Sequence, residues 1–212
     1  MDRDQFITLA GPTLFHATLV TNLPSIAARG LIRPAEAARR VGLKPADLAL
    51  RRTPETIVSP EGPVTLNHQC PLCAGEGKDF LTGGTLRDWA MQLDERIFFW
   101  PHRARHAFVE SLSDLGDLIL LQIDSGRMFD AAKDHLFLAP INTGAAVRRP
   151  SVRGLWIYSP ATGSVDRFRN NRIRRNLCKS PDTAAEVSLT CDVPLDMLTD
   201  LLVDPSVLDV VR

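Results

Sequence analysis

This sequence carries no excess of charge of either sign. Lys and Arg together number 25, as do Asp and Glu, so the formal net charge is zero. That excludes a global basic field for capturing nucleic acid, and a polyanionic partner has to be held by a local patch. Long apolar runs are also missing. The best, Leu118 to Ile123, contains Gln122 and falls far short of the roughly 18 residues a membrane span needs. Met1-Asp2-Arg3-Asp4 is charged, with no apolar stretch behind it, and does not read as a secretion signal. The expectation is a soluble, cytoplasmic protein with no membrane partner. Cysteine is scarce too: Cys70, Cys73, Cys178 and Cys191 are too few and too uneven for a secreted disulfide framework.

What is present suits one domain spanning residues 1–212. At 44% hydrophobic residues the chain can bury a substantial core. Thr13 to Thr18 reads as a first strand, with Leu14, His16 and Thr18 on one face. Asn22 suits a helix N-cap, Pro24 the first turn and Gly30 the stop. A second short helix follows Pro34. Residues 51–84, rich in Pro and Gly, look like an irregular insertion, and so long a loop is often functional. Thr85 and Asp88 have capping-box spacing for a helix that carries Trp89 and Leu93. Further strands are expected at Arg96–Trp100, Asp117–Ile123, Leu136–Leu138, Leu155–Tyr158, Ala184–Thr190 and Val207–Val211. Pro101 should stop the first of these and start a helix through Phe108 and Val109. Helices crowd the first half and strands the second, which argues for an α+β fold.

One strand draws attention. In Ala184-Ala185-Glu186-Val187-Ser188-Leu189-Thr190, Ala185, Val187 and Leu189 share one face, and Glu186, Ser188 and Thr190 share the other. The plain reading is a glutamate on a solvated face, because antiparallel strands commonly show water their polar side. Three runs in order give it another meaning: Leu14-Phe15-His16-Ala17-Thr18, then Ile97-Phe98-Phe99-Trp100 with Arg103 and Arg105 behind it, then Ala185-Glu186-Val187. The order histidine, aromatic strand with arginine, glutamate resembles the ADP-ribosyltransferase fold, most closely the DarT-type enzymes that modify DNA. The Phe-Phe-Trp run and the stretch Ile141-Asn142-Thr143-Gly144 also resemble an uncharacterised bacterial family. These are short motifs scattered along the chain.

The resemblance implies a split mixed or antiparallel sheet with flanking helices, NAD as co-substrate and Glu186 as the catalytic carboxylate. It implies an NAD-contacting arginine, Arg103 or Arg105, and does not choose between them. By the same resemblance His16 contacts a ribose, Ala17 offers backbone groups to the carboxamide, Thr18 and Asn22 complete the shelf, and Phe98 or Phe99 stacks on nicotinamide. ADP-ribosyl transfer breaks a glycosidic bond through an oxocarbenium-like state, so it needs an anion at the developing positive charge and cations at the diphosphate. The plain alternatives are a core histidine, buried strand aromatics and solvent-facing arginines.

Between Arg167 and Lys179 no acidic residue interrupts Arg167, Arg169, Arg172, Arg174 and Arg175. A solvated basic loop is the usual outcome for such a run. Placed before the glutamate strand, Arg169, Arg172, Arg174 and Arg175 also suit a phosphate-bearing acceptor such as DNA or RNA, with Asn170, Asn171 and Asn176 adding base-edge hydrogen bonds. His68, Cys70 and Cys73 are weak metal candidates. A structural zinc site normally needs four ligands, so zinc is not expected and reduced thiols are the default. The leading expectation is an NAD-dependent ADP-ribosyltransferase acting on nucleic acid. Toxin or phage-defence roles and an antitoxin or regulatory partner are implied by resemblance alone. The alternatives are an RNA 2′-phosphotransferase of the same ancestry, and a non-catalytic binding module.

Overall fold

The structure is a computed structural model. It describes residues 1–60, 62–101, 116–147 and 150–211, with residues 210 and 211 in backbone only. Helix α1 (Arg3–Ala10) opens on a reciprocal capping box between Asp2 and Gln5 and leads into β1 (Thr13–Leu19). A 3-10 turn (Val20–Asn22) feeds α2 (Leu23–Arg29), which ends at Gly30 with φ 86°. A Cβ on Gly30 would lie 2.0 Å from the Val193 carbonyl oxygen, so only glycine lets the segment from Leu31 bridge to Val193. Helices α3 (Pro34–Arg40) and α4 (Pro45–Leu48) each start on proline.

Residues 51–84 are more ordered than their composition suggests. They hold a hairpin, β2 (Glu55–Ser59) with β3 (Gly62–Leu66), and a single helical turn, α5 (Cys70–Cys73). The prolines are accommodated because Pro63 lies in a two-stranded ribbon and Pro71 in the first turn of α5. Helix α6 (Leu86–Asp94) carries the expected Thr85–Asp88 capping box, and β4 (Ile97–Pro101) follows. Then come β5 (Leu118–Asp124), α7 (Ser125–Ala132), β6 (Leu136–Ala139), β7 (Ser159–Pro160), α8 (Val165–Arg174), β8 (Glu186–Leu189) and α9 (Leu195–Leu201). The helix expected after Pro101 lies outside the described residues.

The main sheet runs β5-β1-β4-β8-β6-β7, with every neighbouring pair antiparallel. The fold is α+β. Its core lies on both faces. Leu14, Ile97, Phe99, Val187 and Leu189 point into one cluster with Phe6, Met128, Phe168 and Leu198. On the other face Phe98, Phe137 and Ala139 meet Trp89, Leu93, Ile157 and Tyr158. The side chains of β8 are buried on both faces, so Glu186 does not sit on a solvated strand face.

Two expected strands are turns instead. Leu155–Ile157 is a 3-10 turn ahead of β7, held because the Asn171 amide donates to the Trp156 and Ile157 carbonyls at 2.7 and 3.2 Å. Residues 207–211 belong to a 3-10 helix, Pro205–Val211, which starts where Asp204 accepts from the Ser206 amide and hydroxyl. No helix among the described residues is long and apolar enough to cross a membrane.

Candidate active site in the split of the sheet

Strand β1 pairs with β5 along all seven of its residues, but with β4 at only two positions, Leu14 with Pro101 and Phe15 with Trp100. Beyond that level the sheet splits. The Phe98 carbonyl no longer faces a β1 amide, and His16 fills the gap, its Nδ1 2.9 Å from the Phe98 oxygen. Burial lowers the imidazole pKa, and the bond to Phe98 opposes that shift. A neutral ring bonded to a carbonyl carries its proton on Nδ1.

A cleft of about 300 Å³ opens in this split. His16, Ala17 and Thr18 line one side; Arg96, Phe98 and Trp100 line the other. Val64 to Leu66 of the hairpin form a wall, and Glu186 lies at the inner end with Asn142, Gly144 and Ala145. The volume is at the small end of the range for ligand pockets.

Glu186 is 2% exposed. The Thr143 hydroxyl donates to Oε1 at 2.6 Å and the Thr143 amide to Oε2 at 3.2 Å. Burial pushes the carboxyl up to about 7, although the Thr143 hydrogen bonds and the charges of Arg96 and Arg153 pull the other way. Arg153 is itself buried, which pulls its guanidinium down to about 10. It donates to the carbonyls of Ser151, Asn142, Thr143 and Ala145, so it closes the 142–153 loop. Tyr158, also buried and pushed upward by that burial, gives its hydroxyl to Thr143 Oγ1 at 2.9 Å.

Arg96 is the cation of the cleft with the least compensation. It is 7% exposed, and its guanidinium lies 3.8 Å above the Tyr158 ring. Its hydrogen bond goes to Ser188 Oγ at 3.2 Å, and its Nε is buried without a partner. No carboxylate forms an ion pair with it among the described residues. Burial lowers its pKa. The inner cleft therefore presents the Arg96 guanidinium, the Glu186 carboxyl and the aromatic rings of Phe98 and Trp100, while Arg153 stands behind it, spent on backbone carbonyls.

A family of unknown function, DUF7002, matches residues 12–199. The chain belongs to the DUF7002 family. The matched span takes in β1 to β8 and every residue just described. No curated protein and no solved structure matches the chain.

Of the candidate residues of this DUF7002 protein, His16, Ala17, Thr18, Phe98 and Glu186 line one cleft. Asn22 lines it as well; it stands at the N-cap position of α2, as expected, but its side chain makes no capping bond. Its amide oxygen accepts from the Thr65 amide, and its nitrogen donates to the Thr65 carbonyl and the Thr18 hydroxyl, so it pins the hairpin to β1. Phe99 points the other way, into the core. Arg103 and Arg105 lie outside the described residues.

The basic stretch is helix α8 and its exit rather than a free loop. Arg169 pairs with Asp182. Arg172 is buried and donates to the carbonyls of Leu177, Ser180 and Thr183, which removes it from any surface acceptor role. Asn171 is likewise committed to the Leu155–Ile157 turn. Arg174 stacks on Trp156 at 4.0 Å, and Arg175 is half-buried, which lowers its pKa. Cys70 Sγ contacts the Arg52 carbonyl and Cys73 Sγ the Leu50 carbonyl; His68 Nδ1 accepts from the Cys70 amide. No group of three or more metal-ligating side chains occurs among the described residues.

Four residues of the site lay outside the sequence-based assignments. Thr143 was visible only as part of Ile141–Gly144, and Arg96 only as the first residue of the aromatic strand. Arg153 and Tyr158 had no signal, because their partners are backbone carbonyls and a hydroxyl brought together by folding.

Proposed function

We propose that the cleft binds NAD and that this protein transfers ADP-ribose from it to an acceptor, with nucleic acid preferred. The observation that carries this reading is that His16 and Glu186, from opposite ends of the chain, line one cleft with Phe98 at the split of the sheet. That is the chain order of the DarT-type pattern. The residues suit the ligand: Phe98 and Trp100 offer aromatic surface to a planar ring, and Arg96 carries an unpartnered buried Nε and no carboxylate.

NAD supplies the ADP-ribosyl group, whose bond from ribose to nicotinamide breaks as a bond to an acceptor oxygen or nitrogen forms. Glu186, as a carboxylate, stabilises positive charge on the ribose and accepts a hydrogen bond or proton from the attacking group. It titrates near 7, so activity rises as pH increases through that value. Arg96 holds an anionic or carbonyl oxygen at the inner end. Arg174 and Arg175, at the exit of α8, remain the basic residues for a phosphate-bearing acceptor.

The test is incubation of the protein with labelled NAD and, separately, single-stranded DNA, RNA and protein. Transfer of label that is lost in Glu186→Ala supports the reading. No transfer to any acceptor and no NAD cleavage overturns it.

A further inference from the structure

The site already described leaves unexplained why three elements converge on Thr143. Its carbonyl accepts from Trp89 Nε1 at 3.1 Å, on α6, and from Arg153 Nη1 at 2.8 Å, across the loop. Its hydroxyl accepts from Tyr158 at 2.9 Å. Its remaining donors, the amide and the hydroxyl proton, both go to Glu186. Thr143 is fully buried. Every polar atom of this residue is therefore assigned, and both of its donors point at one carboxyl group.

The direction of the hydrogen bonds matters. With Glu186 ionised, Tyr158 donates to Thr143 and Thr143 donates to Oε1, so each hydroxyl has an acceptor. With the proton on Oε1, the chain has to reverse: Glu186 donates to Thr143, Thr143 donates to Tyr158, and the Tyr158 proton has no acceptor. A buried hydroxyl without a partner is costly. The Thr143 amide cannot reverse at all, because it is a donor only. Both features favour the carboxylate.

We propose that Thr143 is the positioning residue for Glu186: its hydroxyl and amide favour the ionised form of the carboxyl and aim it into the cleft, and Tyr158 fixes the direction of that hydroxyl. This rests on Glu186 being the catalytic carboxylate, but the hydrogen-bond chain is a property of the folded protein and can be measured apart from catalysis. The other groups facing Glu186 are Arg96, at the start of β4, and Arg153, from the 142–153 loop; Tyr158 is the third. The two guanidinium groups favour the same ionised form, so removal of Thr143 weakens the preference without abolishing it. Thr143 lies in the Ile141–Gly144 stretch, which accounts for a threonine there rather than any small residue: serine preserves the chain, whereas valine keeps the shape and loses it.

The experiment is a carbon-13 carboxyl NMR titration of Glu186 in the wild-type protein, Thr143→Val, Thr143→Ser and Tyr158→Phe. Hydrogen bonds to a charged group are strong enough to move such a titration by about one to two pH units. Thr143→Val is expected to raise the Glu186 titration by that amount. Tyr158→Phe should raise it by less, and Thr143→Ser should leave it near wild type. In parallel, the acid limb of the pH–rate profile for NAD cleavage should move with the NMR value in each variant. If Thr143→Val fails to fold, Tyr158→Phe and Thr143→Ser still give the comparison. An unchanged Glu186 titration in Tyr158→Phe together with Thr143→Val, or a shift in Thr143→Ser as large as in valine, overturns the proposal. A titration that moves as stated in a protein without NAD chemistry leaves the positioning of Glu186 intact and sinks the catalytic reading instead.

Discussion

His16 Nδ1 lies 2.9 Å from the Phe98 carbonyl oxygen, just beyond the last paired residues of β1 and β4, Phe15 and Trp100. The imidazole thus replaces a missing ladder hydrogen bond and keeps the split satisfied. His16→Leu leaves the carbonyl unpaired and should cost about 1–3 kcal/mol of stability by denaturant unfolding at pH 8. Burial lowers the His16 pKa below its ordinary 6.5, so the folded protein keeps the ring neutral while the unfolded chain takes up a proton. The His16 contribution is therefore full above pH 6.5 and is lost as the pH falls. The gap between wild type and His16→Leu should narrow at pH 5.5, and an equal gap at both pH values would argue against a neutral, carbonyl-bonded ring.

Glu186 acts with the opposite sign. Its carboxyl titrates at about 7 in the folded protein against an ordinary 4.5. Between these values the unfolded chain is ionised and the native state still holds its proton. The stability from this group is present below pH 4.5 and is lost as the pH rises through 7. Glu186→Gln should be more stable than wild type at pH 8, by on the order of 1–3 kcal/mol, with the difference shrinking toward pH 5. Denaturant unfolding at the two pH values measures it, and a pH-independent difference contradicts the buried-carboxyl account.

Much of this architecture could be read from the sequence where local chemistry decides. The Thr85–Asp88 box, the proline starts of α2 and α3 and the Gly30 stop are written in neighbouring residues. What was missed depends on distant partners. Leu155-Trp156-Ile157-Tyr158 has the composition of a strand, but the Asn171 amide takes its carbonyls and folds it into a turn. Asn22 has the identity of a cap and spends its amide on Thr65. The basic run around Arg172 reads as a surface, yet Arg172 closes the 177–183 loop from inside. The order of His16, Phe98 and Glu186 was legible, but the groups that set the ionisation of Glu186 were not, because Thr143, Arg153 and Tyr158 come from segments that only folding brings to it.

Arg96 separates binding from stability. A buried guanidinium with one hydroxyl partner and no carboxylate gains little by being there, so Arg96→Met should leave the unfolding midpoint unchanged or higher. It should weaken NAD binding by about tenfold or more, the value of a lost charge-assisted hydrogen bond. Calorimetric titration together with thermal unfolding checks both. A variant that loses stability and binds NAD normally would make Arg96 a structural cation.

The basic helix divides in the same way. Arg172→Ala removes three buried hydrogen bonds to carbonyls and should destabilise the fold by about 2–4 kcal/mol. Arg174→Ala loses a stack on Trp156 worth roughly 0.5–1 kcal/mol and should lower transfer to nucleic acid with NAD cleavage intact. Transfer rates at increasing salt, alongside unfolding curves, distinguish the two. Unchanged transfer in Arg174→Ala would remove that residue from the acceptor surface.

The central claim is that the split of the sheet is where NAD is broken. Nicotinamide release, followed by chromatography at pH 8 with single-stranded DNA or RNA present, tests it most directly. The account predicts release by the wild-type protein and none above background by folded Glu186→Gln, with ADP-ribose mass added to the acceptor. A folded wild-type protein that releases no nicotinamide with any acceptor, or a Glu186→Gln variant that releases it at the wild-type rate, would contradict it.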